Sequence, residues 1–375
     1  MSVLHPHAPP STGFRGLADN WRNDVMSAFS VSMVALPLSL GIALASGVPA
    51  TAGLFAALVS GFVTTFIRGS HVAINGPGNG LIAVILLGMA SFGNNPNAFR
   101  YVLAAIVVAG VFQTLIGIFR LGKLGEIFPS SVIHGILAAI GLIILGKQVH
   151  VSLGVKTDAK TTLDILRTIP DSLMVLNPLV TVVSVLSLIV LVGHPKVQNK
   201  LIRMIPAPMW VLLLAIPLSL WFQFSSTKPY TIMGESYRLG PSFLVPIPDD
   251  LVKSIFFPDF SMIGTLPFWS LVFSITLLSS IETLISANAI DKLDPYKRQT
   301  DPNRELIGTG ISSIVTGLIG GLPIVTVIAR SSVNIHNHAK TRWSNLYAST
   351  FLLAFVLLFA PIIQLIPLAA LAAIL

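Results

Sequence analysis

Apolar runs long enough to cross a bilayer recur along the whole chain, and they limit the fold more than any other feature. A hydrocarbon core of about 30 Å needs roughly 20 apolar residues in a helix. Spans of that kind fall near 25–45, 50–67, 100–119, 130–146, 178–193, 207–223, 268–290, 305–320 and 345–365. Two further apolar pieces, near 78–92 and 327–337, are too short to cross alone. Hydrophobic residues make up 53% of the chain and charged residues 10%. A soluble domain holds roughly 25% charged residues, so an ordinary soluble protein is excluded, and so is a disordered one. The chain has no cysteine, which removes disulfides, thiolate metal sites and cysteine nucleophiles. The net charge of +8 on so apolar a chain marks loops on the cytoplasmic face rather than a nucleic-acid surface.

The first 24 residues are polar and carry Arg15 and Arg22, and no signal peptide is visible. With the N-terminus in the cytoplasm, most Lys and Arg fall on the inner side, among them Arg120, Lys196, Lys292, Arg298 and Arg342. Basic residues on the outer side sit mainly in two long segments, 147–177 and 224–267. This predicts a multi-pass protein of the cell membrane with a cytoplasmic N-terminus.

Two stretches echo each other. Residues 53–80 read GLFAALVSGFVTTFIRGSHVAINGPGNG and residues 308–331 read GTGISSIVTGLIGGLPIVTVIARS. Each is a Gly-rich spanning helix, a Gly turn, an extended piece with a proline (Pro77, Pro323) and a short apolar helix. A second echo joins 128–145 to 366–375. Internal repeats with interrupted helices at matching places are the sequence mark of secondary transporters. The bland alternative is chance likeness between Gly-rich apolar helices. The pattern divides the chain into a cytoplasmic segment 1–24, a first inverted repeat of seven membrane segments over 25–225, an extracytoplasmic linker 226–267 and an incomplete second repeat 268–375. The last apolar run has nine residues from Pro367, at about 1.5 Å each too few to cross, so the sequence reads as a piece of a longer protein or an interrupted gene. The expected fold class is an all-α polytopic membrane protein with a seven-plus-seven inverted repeat and two half-helices.

Extended backbone at membrane depth must be buried in protein or line a cavity, and two short helices starting there aim free N–H groups and positive dipole ends into it. That is an anion site. Asn75-Gly76-Pro77-Gly78-Asn79-Gly80 would build one side. Gly320-Gly321-Leu322-Pro323, with a helix starting near Thr326 or Val327, would build the other. Charged residues inside the membrane are costly and mark function by default. Glu282 has no charged neighbour between Asp259 and Asp291, and Arg330 has none between Glu305 and Lys340. Burying either alone would cost several kcal/mol, so the two are expected to pair. A proton on Glu282 would then free Arg330 for a dianion. A static pair fixing helix register is the plainer alternative. Leu36-Pro37-Leu38-Ser39 should break the first span, with the Ser39 hydroxyl facing the same cavity. No metal-ligand cluster, nucleophile–base set or phosphate-binding loop appears in the sequence, which argues against an enzyme and for no cofactor.

At these residues the chain resembles the SulP (sulfate permease) family of anion transporters, from about Asp24 to its end. The matching segments are 34–54 (VALPLSLGIALASGVPATAGL), 74–80 (INGPGNG), 279–293 (SSIETLISANAIDKL) and 320–334 (GGLPIVTVIARSSVN). The resemblance implies fourteen membrane segments, a core domain moving against a gate domain, a homodimer and, in many members, a soluble STAS domain. It implies an anion held between the third and tenth segments, at Gly78, Asn79 and Gly80 and at Ala329, Arg330 and Ser331, with Ser39 added from the residue reading. Glu282 and Ser286 match ion-coupling positions, and Thr326 completes that set. Where the family commonly reads Gly-Pro-Thr-Gly, this chain reads Gly-Pro-Gly-Asn. Glu with Arg looks more like the proton-coupled sulfate type than the sodium-coupled bicarbonate type. The expected function is secondary transport of a small inorganic oxyanion, sulfate with proton symport. Bicarbonate transport, sodium- or proton-linked, and an anion channel of the same fold are the alternatives. Expected partners are the anion, a co-transported proton or sodium ion, the lipid bilayer and a second copy, without nucleic acid.

Overall fold

The computed structural model describes residues 9–375 except 68, 94, 123–129, 156–161, 200–201, 203–204, 233 and 248–250. The opening residues of the second echo, 128–129, therefore lie outside the described residues.

Helix formation follows the apolar runs. Helix α1 spans Gly13–Ala45. Helix α2 spans Ala50–Val59, widens into a π turn over Ser60–Thr64 and ends with Thr65–Ile67. Strand β1 is Asn75–Pro77. A 3₁₀ turn, Asn79–Leu81, leads into α3, Ile82–Ser91. Then come α4 (Ala98–Ile118), α5 (Ser130–Ser152), the short α6 (Thr162–Arg167) and α7 (Ile169–Met174), α8 (Pro178–Gly193) and α9 (Ala207–Trp221). An outer hairpin pairs β2 (Lys228–Ile232) with β3 (Glu235–Leu239). The second half carries α10 (Leu266–Leu293), α11 (Pro302–Ile319), β4 (Ile324–Thr326), α12 (Ile328–His336), α13 (Trp343–Leu358), α14 (Ala360–Ile363) and α15 (Leu368–Ile374). Among the described residues, five helices are long and apolar enough to cross a membrane.

The elements sort into two packed groups. In the first, α4 lies along α11, and α1 along α13 and α12. The α4–α11 contact is close because both faces are glycine. A Cβ on Gly110 would stand 2.8 Å from the Gly310 carbonyl oxygen, and one on Gly310 would stand 2.8 Å from the Thr114 nitrogen. Small residues let membrane helices approach backbone to backbone, where dispersion contacts replace the hydrophobic drive that lipid cannot give. In the second group, α8, α9 and α15 share a core of Val180, Val183, Val211, Ala215, Ala369 and Ala370.

The break expected at Pro37 is absent: α1 runs through it. Proline forfeits one backbone donor, but its fixed φ suits a helix. The Ser39 hydroxyl donates to the Ala35 carbonyl at 2.6 Å, one turn back along the continuous helix. The second half-helix also starts slightly later than expected. Thr326 is the last residue of β4, and Val327 is the N-cap of α12.

Candidate anion site

The two interrupted segments meet as an antiparallel ribbon, with Asn75 opposite Thr326, Gly76 opposite Val325 and Pro77 opposite Ile324. Ladder bonds and flanking side chains together satisfy the backbone, with Asn345 and Ser60 on Asn75 and Ser313 on Ile324, which makes extended chain tolerable at this depth. Because the strands run in opposite senses, the half-helices leave from opposite ends of the ribbon. At about 3.3 Å per residue their N-termini flank a stretch of roughly 10 Å. Asn79 and Ala329, at the two helix starts, are exposed, while the ribbon itself is buried.

Arg330 lies in the first turn of α12 and is 1% exposed. Its guanidinium reaches back across the ribbon to Gly76, where an added Cβ would overlap Nη1. Nη2 donates to the Ser39 hydroxyl at 3.0 Å, and Nε has no hydrogen-bond partner. Glu282 approaches from α10. Its Oε1 accepts from the Gly80 amide at 3.3 Å, and its buried Oε2 has no partner. A Cβ on Gly78 or Gly80 would come within 2.8 Å of that Oε2. Glycine at both positions is thus what lets the carboxylate rest against the start of α3.

The expected Glu282–Arg330 pair does not form: no carboxylate among the described residues lies within 4.0 Å of the guanidinium. Each charge rests on a neutral partner instead. Glu282 takes the amide at the β1 end, and Arg330 takes the hydroxyl of Ser39 on α1. Ser286 sits one turn along α10 from Glu282 and is buried.

Two expected site residues point away from this space. The Ser331 hydroxyl accepts from the Ile74 amide at 2.8 Å and donates to the Val327 carbonyl at 2.6 Å. The Thr326 hydroxyl donates to Glu305 at 2.7 Å and accepts from Asn75 at 3.0 Å. The structure thus gathers Ser39, Gly78, Gly80, Glu282 and Arg330 on one side of the ribbon. Ser331 and Thr326 bind its other side to the scaffold.

Glu305, Asn334 and Asn345 are not among the residues expected at the site, and all three are 1% exposed or less, as is Asn75. Asn334 donates to the Val72 carbonyl and to Ser344, both at 2.8 Å, and its own Oδ1 accepts from Ser27 at 2.7 Å. The available signal was that Glu305 stands at the edge of a long uncharged stretch, which reads equally well as an ordinary helix-start acid.

The profile described as the sulfate permease family matches residues 21–375. The chain belongs to that family. Among curated proteins, it is 28% identical over 358 residues to the putative sulfate transporter YvdB of Bacillus subtilis, covering 95% of this chain and 63% of that protein. It is 25% identical over 359 residues to the bicarbonate transporter BicA of Picosynechococcus, covering 95% and 60%. The chain therefore spans about three-fifths of the length of these relatives. Its fold resembles the transmembrane domain of a cyanobacterial BicA, with a TM-score of 0.81 at 24% identity over 95% of this chain and 87% of that one. It also resembles murine Slc26a9, with a TM-score of 0.77 at 17% identity over 95% and 59%. Family and apolar helices together make this a multi-pass membrane protein with the transporter fold of these neighbours.

Proposed function

We propose that this chain forms the translocation unit of a secondary transporter for a small inorganic oxyanion, sulfate with proton symport. The observation that carries the reading is a buried guanidinium, Arg330, which meets no carboxylate among the described residues and lies beside two helix starts joined back to back. Fixed positive charge and unengaged N–H groups in a low-dielectric surround favour an anion. The substrate would lie against Gly78, Asn79 and Gly80 on one side and Ala329 and Arg330 on the other, with Ser39 holding the guanidinium. Ser331 would act from behind the ribbon.

The coupling follows from where Glu282 rests. Its ionised carboxylate occupies the Gly80 amide, a donor that an entering anion would use. A proton removes the charge and releases that donor. Proton and anion therefore enter together, with Ser286 one turn further along α10. Like-charge exclusion at one amide gives a coupling free energy without any direct Glu282–Arg330 bond.

Bicarbonate, linked to sodium or protons, is a second reading, favoured by the likeness to BicA. A channel of the same fold would pass the anion without coupling. In the same proposal, residues 25–225 and 268–375 form the two repeats, joined by an outer linker 226–267. The N-terminus is cytoplasmic in the cell membrane, and two copies assemble. Labelled sulfate and bicarbonate uptake into vesicles, at two pH values and with the proton gradient reversed, tests the reading. Proton-driven sulfate accumulation supports it. Flux that follows only the anion's own gradient overturns it in favour of a channel.

A further inference from the structure

Glu305 lies in the first turn of α11 and is fully buried. Its carboxylate accepts four hydrogen bonds, and each comes from a neutral group. Oε2 takes the backbone amides of Gly69 at 3.1 Å and Ser70 at 3.0 Å. Oε1 takes the Asn75 side-chain amide at 3.1 Å and the Thr326 hydroxyl at 2.7 Å. Asn75 and Thr326 are the facing residues at one end of the ribbon. A single carboxylate therefore grips both strands that carry the anion site, together with the turn leading into β1.

The grip extends outward. The Asn75 Oδ1 accepts from Thr64 at 3.1 Å, a residue of the π turn in α2. Thr64 in turn accepts from the Asn345 side chain at 2.9 Å, and the Asn345 Oδ1 accepts from the Asn75 amide at 3.3 Å. A π turn adds a residue to a helix and re-aims the side chains around it. Here it turns Ser60 and Thr64 towards Asn75, with the Ser60 hydroxyl donating to the Asn75 carbonyl at 2.8 Å.

We propose that Glu305 is a positioning residue for the anion site, acting through its acceptor pattern to hold Asn75 and Thr326 in register. The inference rests on the anion-site reading above. An ionised carboxylate offers only acceptors, and all four partners are donors. Glutamine has almost the same shape but would aim an –NH₂ at donors. Turned towards Gly69 and Ser70, it meets two amides that cannot accept. Turned towards Asn75 and Thr326, it can donate to the Thr326 oxygen, but the Thr326 hydroxyl and the Asn75 –NH₂ then lose their acceptor, and an Asn75 flip that restores one breaks the bond from Thr64. Leaving such donors unmet in a buried site is costly. Exchanging both partners repairs the pattern. With Glu305→Gln and Asn75→Asp together, the glutamine carbonyl keeps the Gly69 and Ser70 amides, and its –NH₂ donates to the introduced carboxylate and to Thr326. The Thr326 hydroxyl donates to that same carboxylate, whose second oxygen still accepts from Thr64. The charge passes to the neighbouring side chain, and every bond has a donor and an acceptor.

The test uses this chain with Glu305→Gln, Asn75→Asp and the double variant, and it has two readouts. In vesicles, Glu305→Gln should raise the KM for sulfate at least tenfold, and the double variant should return it to within about threefold. The second readout does not depend on transport. The chain has no cysteine, so Asn79→Cys at the exposed start of α3 gives a single thiol. Its rate of maleimide labelling should change severalfold with Glu305→Gln and recover in the double variant. If the unaltered chain carries no oxyanion, the functional reading fails while the labelling rates still decide the role of Glu305. If Glu305→Gln does not fold, the double variant should. A double variant no better than the worse single one, or a Glu305→Gln chain unchanged in both readouts, overturns the proposal.

Discussion

Glu282 meets the amide of Gly80 at 3.3 Å instead of the guanidinium of Arg330. Acid and base thereby rest on separate neutral partners, and each can be tested separately.

Proton dependence should follow Glu282. With the carboxylate ionised, the Gly80 amide is occupied and anion entry is disfavoured. Sulfate affinity should therefore rise as pH falls. In Glu282→Gln the group is neutral at every pH. Affinity should then become independent of pH and stay near its low-pH level, while proton-driven accumulation is lost. Binding titrations at about pH 5.5 and 7.5 check this, and a slope in the variant equal to that of the unaltered chain would refute it.

Charge and shape at Arg330 are separable. Removing a charged hydrogen-bond partner costs about 1.5–3 kcal/mol, so Arg330→Gln should weaken sulfate binding by roughly 10- to 100-fold. Arg330→Lys should recover little of this. A lysine is one compact charge and cannot bond Ser39 while also lying over Gly76. Calorimetric titration of the purified chain gives both numbers.

Gly76 has no room for a side chain on its Arg330 face. A Cβ there overlaps Nη1, so Gly76→Ala should displace the guanidinium and reproduce the binding loss of Arg330→Gln. Far-ultraviolet circular dichroism should remain unchanged. The measurement is sulfate affinity alongside the spectrum.

Asp24 predicts stability rather than transport. Its carboxylate accepts from the Lys340 amide at 2.8 Å, the Thr341 amide at 3.1 Å and the Thr341 hydroxyl, tying α1 to the turn after α12. Asp24→Ala strands the buried Thr341 amide and the part-buried Lys340 amide. It should cost about 2 kcal/mol, read as a fall of several degrees in the thermal midpoint in detergent.

Much of this architecture was legible in the sequence because hydrocarbon imposes simple rules on it. Length and apolarity placed the spanning helices. The two proline-bearing Gly turns placed the half-helices, and charge isolation singled out Glu282 and Arg330. The pairing between those two was misread because sequence shows that each charge needs compensation but not which group supplies it. A backbone amide and a serine hydroxyl serve here, and neither carries a charge to notice. Pro37 misled for a related reason, since proline weakens a helix locally while neighbouring turns decide whether it continues. Glu305 escaped because its importance lies in which donors face it across more than 200 residues of chain.

The bond between Asn75 and Thr326 spans 251 positions. During synthesis, the first strand therefore lacks its ladder partner until residue 326 has been made. A fragment that ends before β4 holds only one of the two strands of the ribbon and one of the two half-helices, so the ribbon cannot form piecemeal.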